Sequence, residues 1–438
     1  MSEKMSYDEA LKYIHSVKWQ SMKPGLDRTR ELLAALGNPE KSLKFIHIAG
    51  TNGKGSTAAY VSSVLTAAGY TTGLYVSPYI IRFNERMQVN GEYISDDELI
   101  SMVEEIRPHA DAMKDNPTEF ELITALAMKH FQRKQCDIVV LEVGMGGELD
   151  STNVIDTPEA AVITSIGLDH VKELGPELKD IARAKAGIIK PGGDVVVYGG
   201  DPDVECVFAE VCKERNARLH KADFSRISEL KPSIDGVSFS FSPYGSVTLP
   251  LAGAYQPKNA ALAVTVLEVL RDKGYKIDKD NVIKGLSKVY WPGRFEVLGR
   301  SPVFILDGSH NPQGMEATAD TLRQYYGEKK ITFVLGVMAD KDIDAMISYI
   351  APLAGGFIAV RPDYYRAMEV IPLVEKLTQY GAPVTSGGTV AEGVKIALDR
   401  AGDDDVVCAI GSLYFSGEIR EAYETYNTAK QLYTSAEN

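Results

Sequence analysis

The sequence predicts a two-domain α/β protein whose sheets are mainly parallel. Short apolar runs alternate with longer amphipathic stretches almost from end to end, the pattern of parallel strands joined by helices. The chain has 438 residues, beyond the roughly 250–300 at which one hydrophobic core stops growing. Near residues 288–302 the stretch KVYWPGRFEVLGRSP concentrates Pro, Gly and Arg, and the alternation restarts beyond it. The domain boundary is expected there, giving domains 1–293 and 294–438.

In the first domain the strands are KFIHIAG (44–50), TGLYVS (72–77), DIVVLEVG (137–144), AAVITSIG (160–167) and DVVVYGG (194–200). Each is a short β-branched or apolar run ending in small or polar residues. Apolar residues recurring at three and four predict helices at 56–69, 96–113, 118–133, 177–187 and 258–273. In the second domain PVFILDG, KITFVLGV, GFIAVRP and DDVVCAIGS are strands, with helices at 312–326, 341–351, 367–380 and 389–401. The fold class expected from this order is an N-terminal domain on a mainly parallel sheet, of the phosphate-loop ATPase type if the glycine-rich loop that follows its first strand takes phosphate, plus a smaller Rossmann-like α/β domain.

The phosphate loop is the stretch FIHIAGTNGKGSTAAYVSSVL (45–65). Phosphate needs inward-pointing main-chain N–H groups with a helix N-terminus behind them, and glycines let the backbone approach without a Cβ in the way. Gly50, Gly53 and Gly55 supply that freedom, Lys54 the charge, and Ser56 and Thr57 open the helix. The spacing departs from G-x-x-x-x-G-K-[ST], because Ile48 stands where the first glycine would and Gly55 separates Lys54 from Ser56. A glycine-rich turn with a solvated lysine is the plainer alternative, but strand, loop and helix stand in the order a phosphate site requires.

Glu142 ends the run DIVVLEV, where open α/β sheets bind ligands, and beside a phosphate loop such a carboxylate can hold magnesium; otherwise it caps a turn or pairs with a lysine. The neighbouring strand ends in LDH, so Asp169 and His170 emerge at the same edge. Histidine is an uncommon magnesium ligand and is more often structural or an acid/base group. Ser77 is either a hydroxyl ligand or a turn residue before Pro78. In FILDGSHNP, Asp307 can bind ribose or cap the helix that Pro312 begins, and His310 stands just beyond. Arg294 is a phosphate contact or a solvated linker residue.

A net charge of −13 argues against nucleic acid as the main partner, while leaving room for a local basic pocket for a small anion. The N-terminal MSEKMSYDEALKYIH mixes acids among its apolar residues, unlike a signal peptide, and no run nears the roughly 18 apolar residues of a membrane span. Cys136, Cys206, Cys212 and Cys408 form no C-x-x-C pair. They read as small hydrophobes in a reduced, cytoplasmic protein.

Taken in order, GTNGKGST, SPYIIRFNER, TEFELITA, LEVGMGGELDSTN, GLDH with KAGIIKPG, AYQPKNAALA, WPGRFE and DGSHNP resemble the folylpolyglutamate synthase and dihydrofolate synthase family, a branch of the Mur ligases. The resemblance runs from GLDRTRELLAALGNP (25–39) to GSLYFSGE (411–418), and GTNGKGS is that family's own phosphate loop. It makes 1–293 an ATP-binding Mur-ligase-type domain and 294–438 the ligase domain. It implies an ATP-dependent ligase that adds L-glutamate to the γ-carboxylate of a folate through an acyl phosphate. The alternative is dihydrofolate synthase activity on dihydropteroate, alone or in addition. From a different class, the rival is a nucleotide-switch protein without glutamate-dependent turnover.

Carried over by motif, the resemblance implies that Thr51, Asn52, Gly53, Lys54, Gly55 and Ser56 surround the ATP phosphates, with Asn259, Arg294 and Asp307 completing the nucleotide site. Ser77, Glu142 and His170 match magnesium ligands, and Lys185 matches a lysine that is carbamylated beside a second ion. Lys54, Glu142, His170 and Lys185 thus become the expected catalytic set. The pterin-bearing substrate is implied near Lys23 to Leu26, with Gly25 between them, Thr118, Glu119, Phe120 and Glu121, and Leu149, Asp150 and Ser151. His310 and Ser412 are candidates for glutamate. Tyr79, Ala184 and Ser309 depart from the family's frequent residues. A monomer, with neither nucleic acid nor membrane as partner, is expected.

Overall fold

A computed structural model of the chain describes residues 5–16 and 25–436, the last five of these as backbone only. Two compact units form: residues 1–226 with 258–289, and residues 227–257 with 290–438. The segment 227–257, taken from the sequence as part of the N-terminal domain, belongs with the second unit.

The first unit is built on an eight-stranded sheet. Its order is Glu92–Tyr93, Met87–Val89, Thr72–Tyr75, Ile138–Glu142, Phe45–Ala49, Ala160–Ile163, Asp194–Val197 and Arg218–Lys221. Only the first two strands run antiparallel to their neighbours. The pair was not expected from the sequence, because strands of two and three residues carry no readable period. The Phe45–Ala49 strand lies between Ile138–Glu142 and Ala160–Ile163, with Ile48 in register with both Glu142 and Val162. Strands covered on both faces read as continuous apolar runs. All five residues of Phe45–Ala49 and of Ile138–Glu142 are buried accordingly.

The helices cover both faces. Val139 and Leu141 join a core with Leu122, Leu126 and Phe131 of the Glu119–Arg133 helix, while Ala161, Ile163 and Val195 join another with Ala182, Ala186 and Phe208. The Lys54–Ala67 helix buries residues all round its circumference, so it has no polar stripe. Gly285 lets the Lys279–Leu286 helix press on it, since a Cβ there would meet the Val64 Cα at 2.4 Å.

Asp194 fastens one flank of this sheet. It accepts from Arg218 at 2.7 Å, His220 at 3.0 Å and Lys273 at 2.9 Å. Burial alone would raise its pKa, but the hydrogen bonds from Arg218, His220 and Lys273 outweigh that and hold it at about 2. A carboxylate with a depressed folded pKa stabilises above its unfolded value of 3.8 and loses that contribution as pH falls towards 2. Asp194→Asn is therefore expected to lower stability at pH 6 and to flatten its decline between pH 4 and 2, read by urea unfolding at each pH.

The second unit carries a six-stranded sheet in the order Glu296–Arg300, Val303–Asp307, Val406–Ile410, Ile331–Leu335, Ala354–Arg361 and Val384–Thr389. Only Glu296–Arg300 runs antiparallel. A separate antiparallel sheet joins Ile227–Ser233, Gly236–Phe241 and Gly245–Leu249. The helix predicted at 367–380 spans only Val370–Thr378, because residues 362–369 form a loop. Among the described residues no helix is long and apolar enough to cross a membrane.

Candidate active site

The phosphate loop is shaped by two glycines in backbone conformations that L side chains rarely adopt. At Gly50, with φ of +148°, a Cβ would lie 1.7 Å from Thr164 Oγ1. At Gly53, with φ of +87°, it would lie 2.8 Å from Asn259 Oδ1. The loop is anchored along the segment that follows the neighbouring strand. Thr51 N–H donates to the Ser165 carbonyl at 2.9 Å, Gly167 N–H to Thr51 Oγ1 at 3.1 Å, and Ser165 Oγ to the Asn52 carbonyl at 3.2 Å. The Lys54–Ala67 helix then begins without a side-chain cap, leaving the positive end of its dipole facing the loop. Among the described residues Lys54 Nζ reaches only the Thr51 carbonyl, at 3.4 Å, while Ser56 is buried.

Glu142 ends its strand, Ser77 stands two residues past the neighbouring Thr72–Tyr75 strand, and His170 stands seven residues past Ala160–Ile163, across Phe45–Ala49 from Glu142. Glu142 is 4 % exposed, and its Oε2 accepts from the Ser77 main-chain N–H at 3.3 Å. His170 adopts the left-handed region, with φ of +51°, and its N–H donates to Asp169 Oδ1 at 2.9 Å. The carboxylate and the hydroxyl are hard oxygen donors, and the imidazole adds one borderline nitrogen. That set fits a magnesium ion that keeps water and phosphate oxygens for its remaining positions. Among the described residues, no group of three or more His, Cys, Asp or Glu side chains gathers as a ready-made metal centre.

Lys185, on the Leu178–Ala186 helix, is 5 % exposed and donates from Nζ to the Gly50 carbonyl at 2.8 Å. Burial, and after it the charge of Lys54, lower its pKa from 10.5 to about 7 against the opposing pull of Asp169 and Asp150. Sequence position alone makes it a surface lysine on an amphipathic helix. The fold turns it inward onto the phosphate loop.

Close packing sets the loop 144–150 against this helix. A Cβ at Gly147 would lie 2.8 and 2.9 Å from the Ala184 and Lys185 carbonyls, and one at Gly187 would lie 2.3 Å from Glu148 Cβ. A Cβ at Gly144 would meet the Phe120 ring at 2.5 Å. Asp150 accepts from Met145 N–H at 2.9 Å, Thr152 N–H at 3.0 Å and the Thr152 hydroxyl, yet burial keeps its pKa above the usual value. Beneath it, His47 Nε2 and Thr152 Oγ1 are 2.8 Å apart, a buried contact that no local motif announces.

The residues expected around the acceptor divide into two groups. Glu121 is paired by Arg28 through two 3.0 Å bonds and also accepts from Thr118 N–H at 2.7 Å as part of a capping box. Glu119 lies 3.1 Å from His15, and Ser151 Oγ lies 2.8 Å from Thr124 Oγ1. Leu149, by contrast, is 55 % exposed, and Phe120 is partly buried against Tyr75 at a ring separation of 6.1 Å. Gly25 and Leu26 precede the Asp27–Ala35 helix, whose N-cap residue is Leu26; Lys23 lies outside the described residues.

In the second unit Asp307 ends its strand 1 % exposed and meets four donors. These are Phe295 N–H at 2.7 Å, Thr318 Oγ1 at 2.9 Å, Ser309 N–H at 3.0 Å and Tyr255 Oη at 3.4 Å. Asn311, not Asp307, caps the Pro312–Tyr326 helix. Arg294 donates to the Gly293 carbonyl at 3.1 Å, His310 Nδ1 lies 2.9 Å from the Gly308 carbonyl, and Ser412 Oγ accepts from Tyr414 N–H at 3.0 Å.

Comparison with known proteins finds two family matches. Residues 48–267 match the Mur ligase middle domain, and residues 293–413 match the glutamate ligase domain of Mur ligases. The chain is 38 % identical over 433 residues to the dihydrofolate synthase/folylpolyglutamate synthase of Bacillus subtilis, covering 95 % of this chain and 99 % of that one. Among solved structures it is similar to Mycobacterium tuberculosis folylpolyglutamate synthase complexed with ADP and AMPPCP, at TM-score 0.87 and 30 % identity, covering 95 % and 99 % of the two chains. It is also similar to Escherichia coli FolC in complex with DHPP and ADP, at TM-score 0.84 and 30 % identity, covering 97 % and 99 %.

Proposed function

Because the chain belongs to the folylpolyglutamate synthase/dihydrofolate synthase family of Mur ligases, we propose that it joins L-glutamate to the γ-carboxylate of a folate at the expense of ATP. One juxtaposition supports the chemistry above others: an uncapped helix N-terminus carrying Lys54, with the buried carboxylate of Glu142 on the adjoining strand. A carboxylate oxygen of the acceptor attacks the γ-phosphorus, ADP leaves, and an acyl phosphate forms. The glutamate nitrogen then attacks the acyl carbon, inorganic phosphate leaves, and the nitrogen loses a proton.

Phosphoryl transfer depends mainly on positioning and on neutralising charge. Thr51 and Asn52, whose N–H groups are held by the Ser165 carbonyl, fix the loop, the main-chain N–H groups from Gly53 to Ser56 hold the phosphates, and Lys54 offsets charge on the group being transferred. Ser77, Glu142 and His170 would hold magnesium, which when bound neutralises phosphate charge, and a carbamylated Lys185 would serve a second ion. Asn259, whose amide abuts Gly53, would meet the nucleotide from the same unit. In the second unit Arg294 and Asp307 would serve the nucleotide, and His310 and Ser412 the glutamate. Leu149 and Phe120 supply apolar surface for a pterin-bearing acceptor.

The relatives' names carry both activities, so dihydropteroate is the alternative acceptor. Offering tetrahydrofolate and dihydropteroate separately, with ATP and glutamate, and identifying the products by mass decides between one activity and two. Nucleotide binding without glutamate-dependent phosphate release on either acceptor would overturn the ligase reading in favour of a switch. We further propose a cytoplasmic monomer. All four cysteines are free, as a reducing compartment requires, and light scattering against the chain mass of 47.8 kDa tests the monomer.

A further inference from the structure

In the first unit Arg86 closes a single turn of 3-10 helix, Phe83–Arg86, directly before the Met87–Val89 strand. Its carbonyl accepts from Val76 N–H at 3.1 Å, so its backbone lies across from the residue before Ser77. Ser77 in turn donates its main-chain N–H to Glu142 Oε2 at 3.3 Å. Arg86 is thereby set beside the Ser77–Glu142 corner of the site.

Arg86 is only 8 % exposed. Its guanidinium carbon lies 5.2 Å from the centroid of the Tyr79 ring and 5.7 Å from that of Phe83. Among the described residues the guanidinium has neither an ion pair nor a hydrogen bond, and its buried Nε has no partner. The adjacent acid, Glu85, does not serve it. Both oxygens of that buried carboxylate accept main-chain N–H groups, from Ile80 at 2.7 Å, Ile81 at 2.9 Å and Arg82 at 2.8 Å. The charges of Arg86, Asp150 and Glu142 all act on the Tyr75 phenol, which sets the guanidinium near both acids of the site without pairing it to either.

A guanidinium shielded from water without a counter-charge is destabilising, and cation–π attraction from two rings offsets only part of that. Arg28 of the same unit has the usual arrangement, its fork filled by Glu121 through two 3.0 Å bonds. The fork of Arg86 is left for a ligand. A planar guanidinium with parallel N–H donors suits bidentate capture of a carboxylate. The acceptor of an acid–amine ligase brings such a carboxylate to be phosphorylated.

We infer that Arg86, framed by Tyr79 and Phe83, holds the reacting carboxylate of the acceptor and turns it towards the phosphate to be transferred. The inference rests on the ligase reading and makes Arg86 a substrate-binding group that forms no bond and moves no proton. Dihydropteroate has one carboxylate, the reacting one. Calorimetric binding of dihydropteroate and of its carboxamide to wild type, Arg86→Met and Arg86→Lys tests the inference. EDTA is present so that no magnesium adds its charge, and each variant is checked for folding by circular dichroism. Wild type should bind the acid about tenfold or more tighter than the amide, the size of a charged hydrogen bond, and Arg86→Met should separate the two by less than about threefold. Arg86→Lys should fall between, since it keeps charge without the fork, and it decides the matter if the methionine variant does not fold. With tetrahydrofolate the γ-carboxamide should repeat the pattern and the α-carboxamide should not. An undiminished preference for the acid in the variants, or a pattern that follows the α-carboxylate, overturns the inference while the ligase reading stands. A wild-type protein without glutamate-dependent turnover on either acceptor overturns both.

Discussion

Alanine at Lys54 is expected to lower kcat for ligation about 10²–10³-fold, the usual cost of removing one preorganised charge contact from a developing oxyanion. The fold should survive, because the side chain is only partly buried and its one main-chain contact, to the Thr51 carbonyl, is a long 3.4 Å. Steady-state kinetics beside a thermal melt would check both halves. A folded variant with near-normal turnover would remove Lys54, and with it the phosphate-site assignment.

Lys185→Ala is expected to cost at least about a hundredfold in rate, with acetate restoring part of it by filling the vacated space with a carboxylate. The amine must be neutral to attack carbon dioxide and become an anion, losing a proton as the C–N bond forms. In the folded protein burial, and then Lys54, lower its pKa to about 7, so the reactive form predominates at higher pH. With bicarbonate limiting, wild-type activity should therefore rise as pH passes upward through about 7. Stability follows the same sign. The folded chain releases this proton near 7 and the unfolded chain near 10.5, so the unfolded state binds more protons between them and stability climbs with pH. The alanine variant should lack that climb. Full activity of the variant, or only free lysine by mass analysis in bicarbonate, would refute the carbamate while leaving the ligase untouched.

Local features of this fold were legible in the sequence because their causes are local. The strand-loop-helix at 45–65 declares itself through an apolar run, spaced glycines and a helical pattern, and the helix starts at Lys54, two residues before the predicted 56. Contacts across long separations left no such trace. Arg28 meets Glu121 from 93 residues away, so nothing near TEFE shows that its second glutamate is already paired. Lys185 reaches Gly50 across 135 residues, and only the fold reveals its burial. The antiparallel sheet at 227–249 was readable in part: GVSFSF alternates with period two, but Ile227–Ser233 beside it is mostly exposed and lacks an apolar face.

The interlock of Gly147 and Gly187 bears on any attempt to retarget the enzyme to other acceptors. Those two positions, with Gly144, are sterically closed: a side chain at any of them would strike backbone or a packed ring at under 3 Å. Diversity introduced there would be lost to misfolded members of a library. Leu149 lies in the same loop, 55 % exposed, and can change size or polarity without disturbing that seam. Saturation mutagenesis aimed at acceptor scope should therefore begin at Leu149 and leave its glycine neighbours fixed.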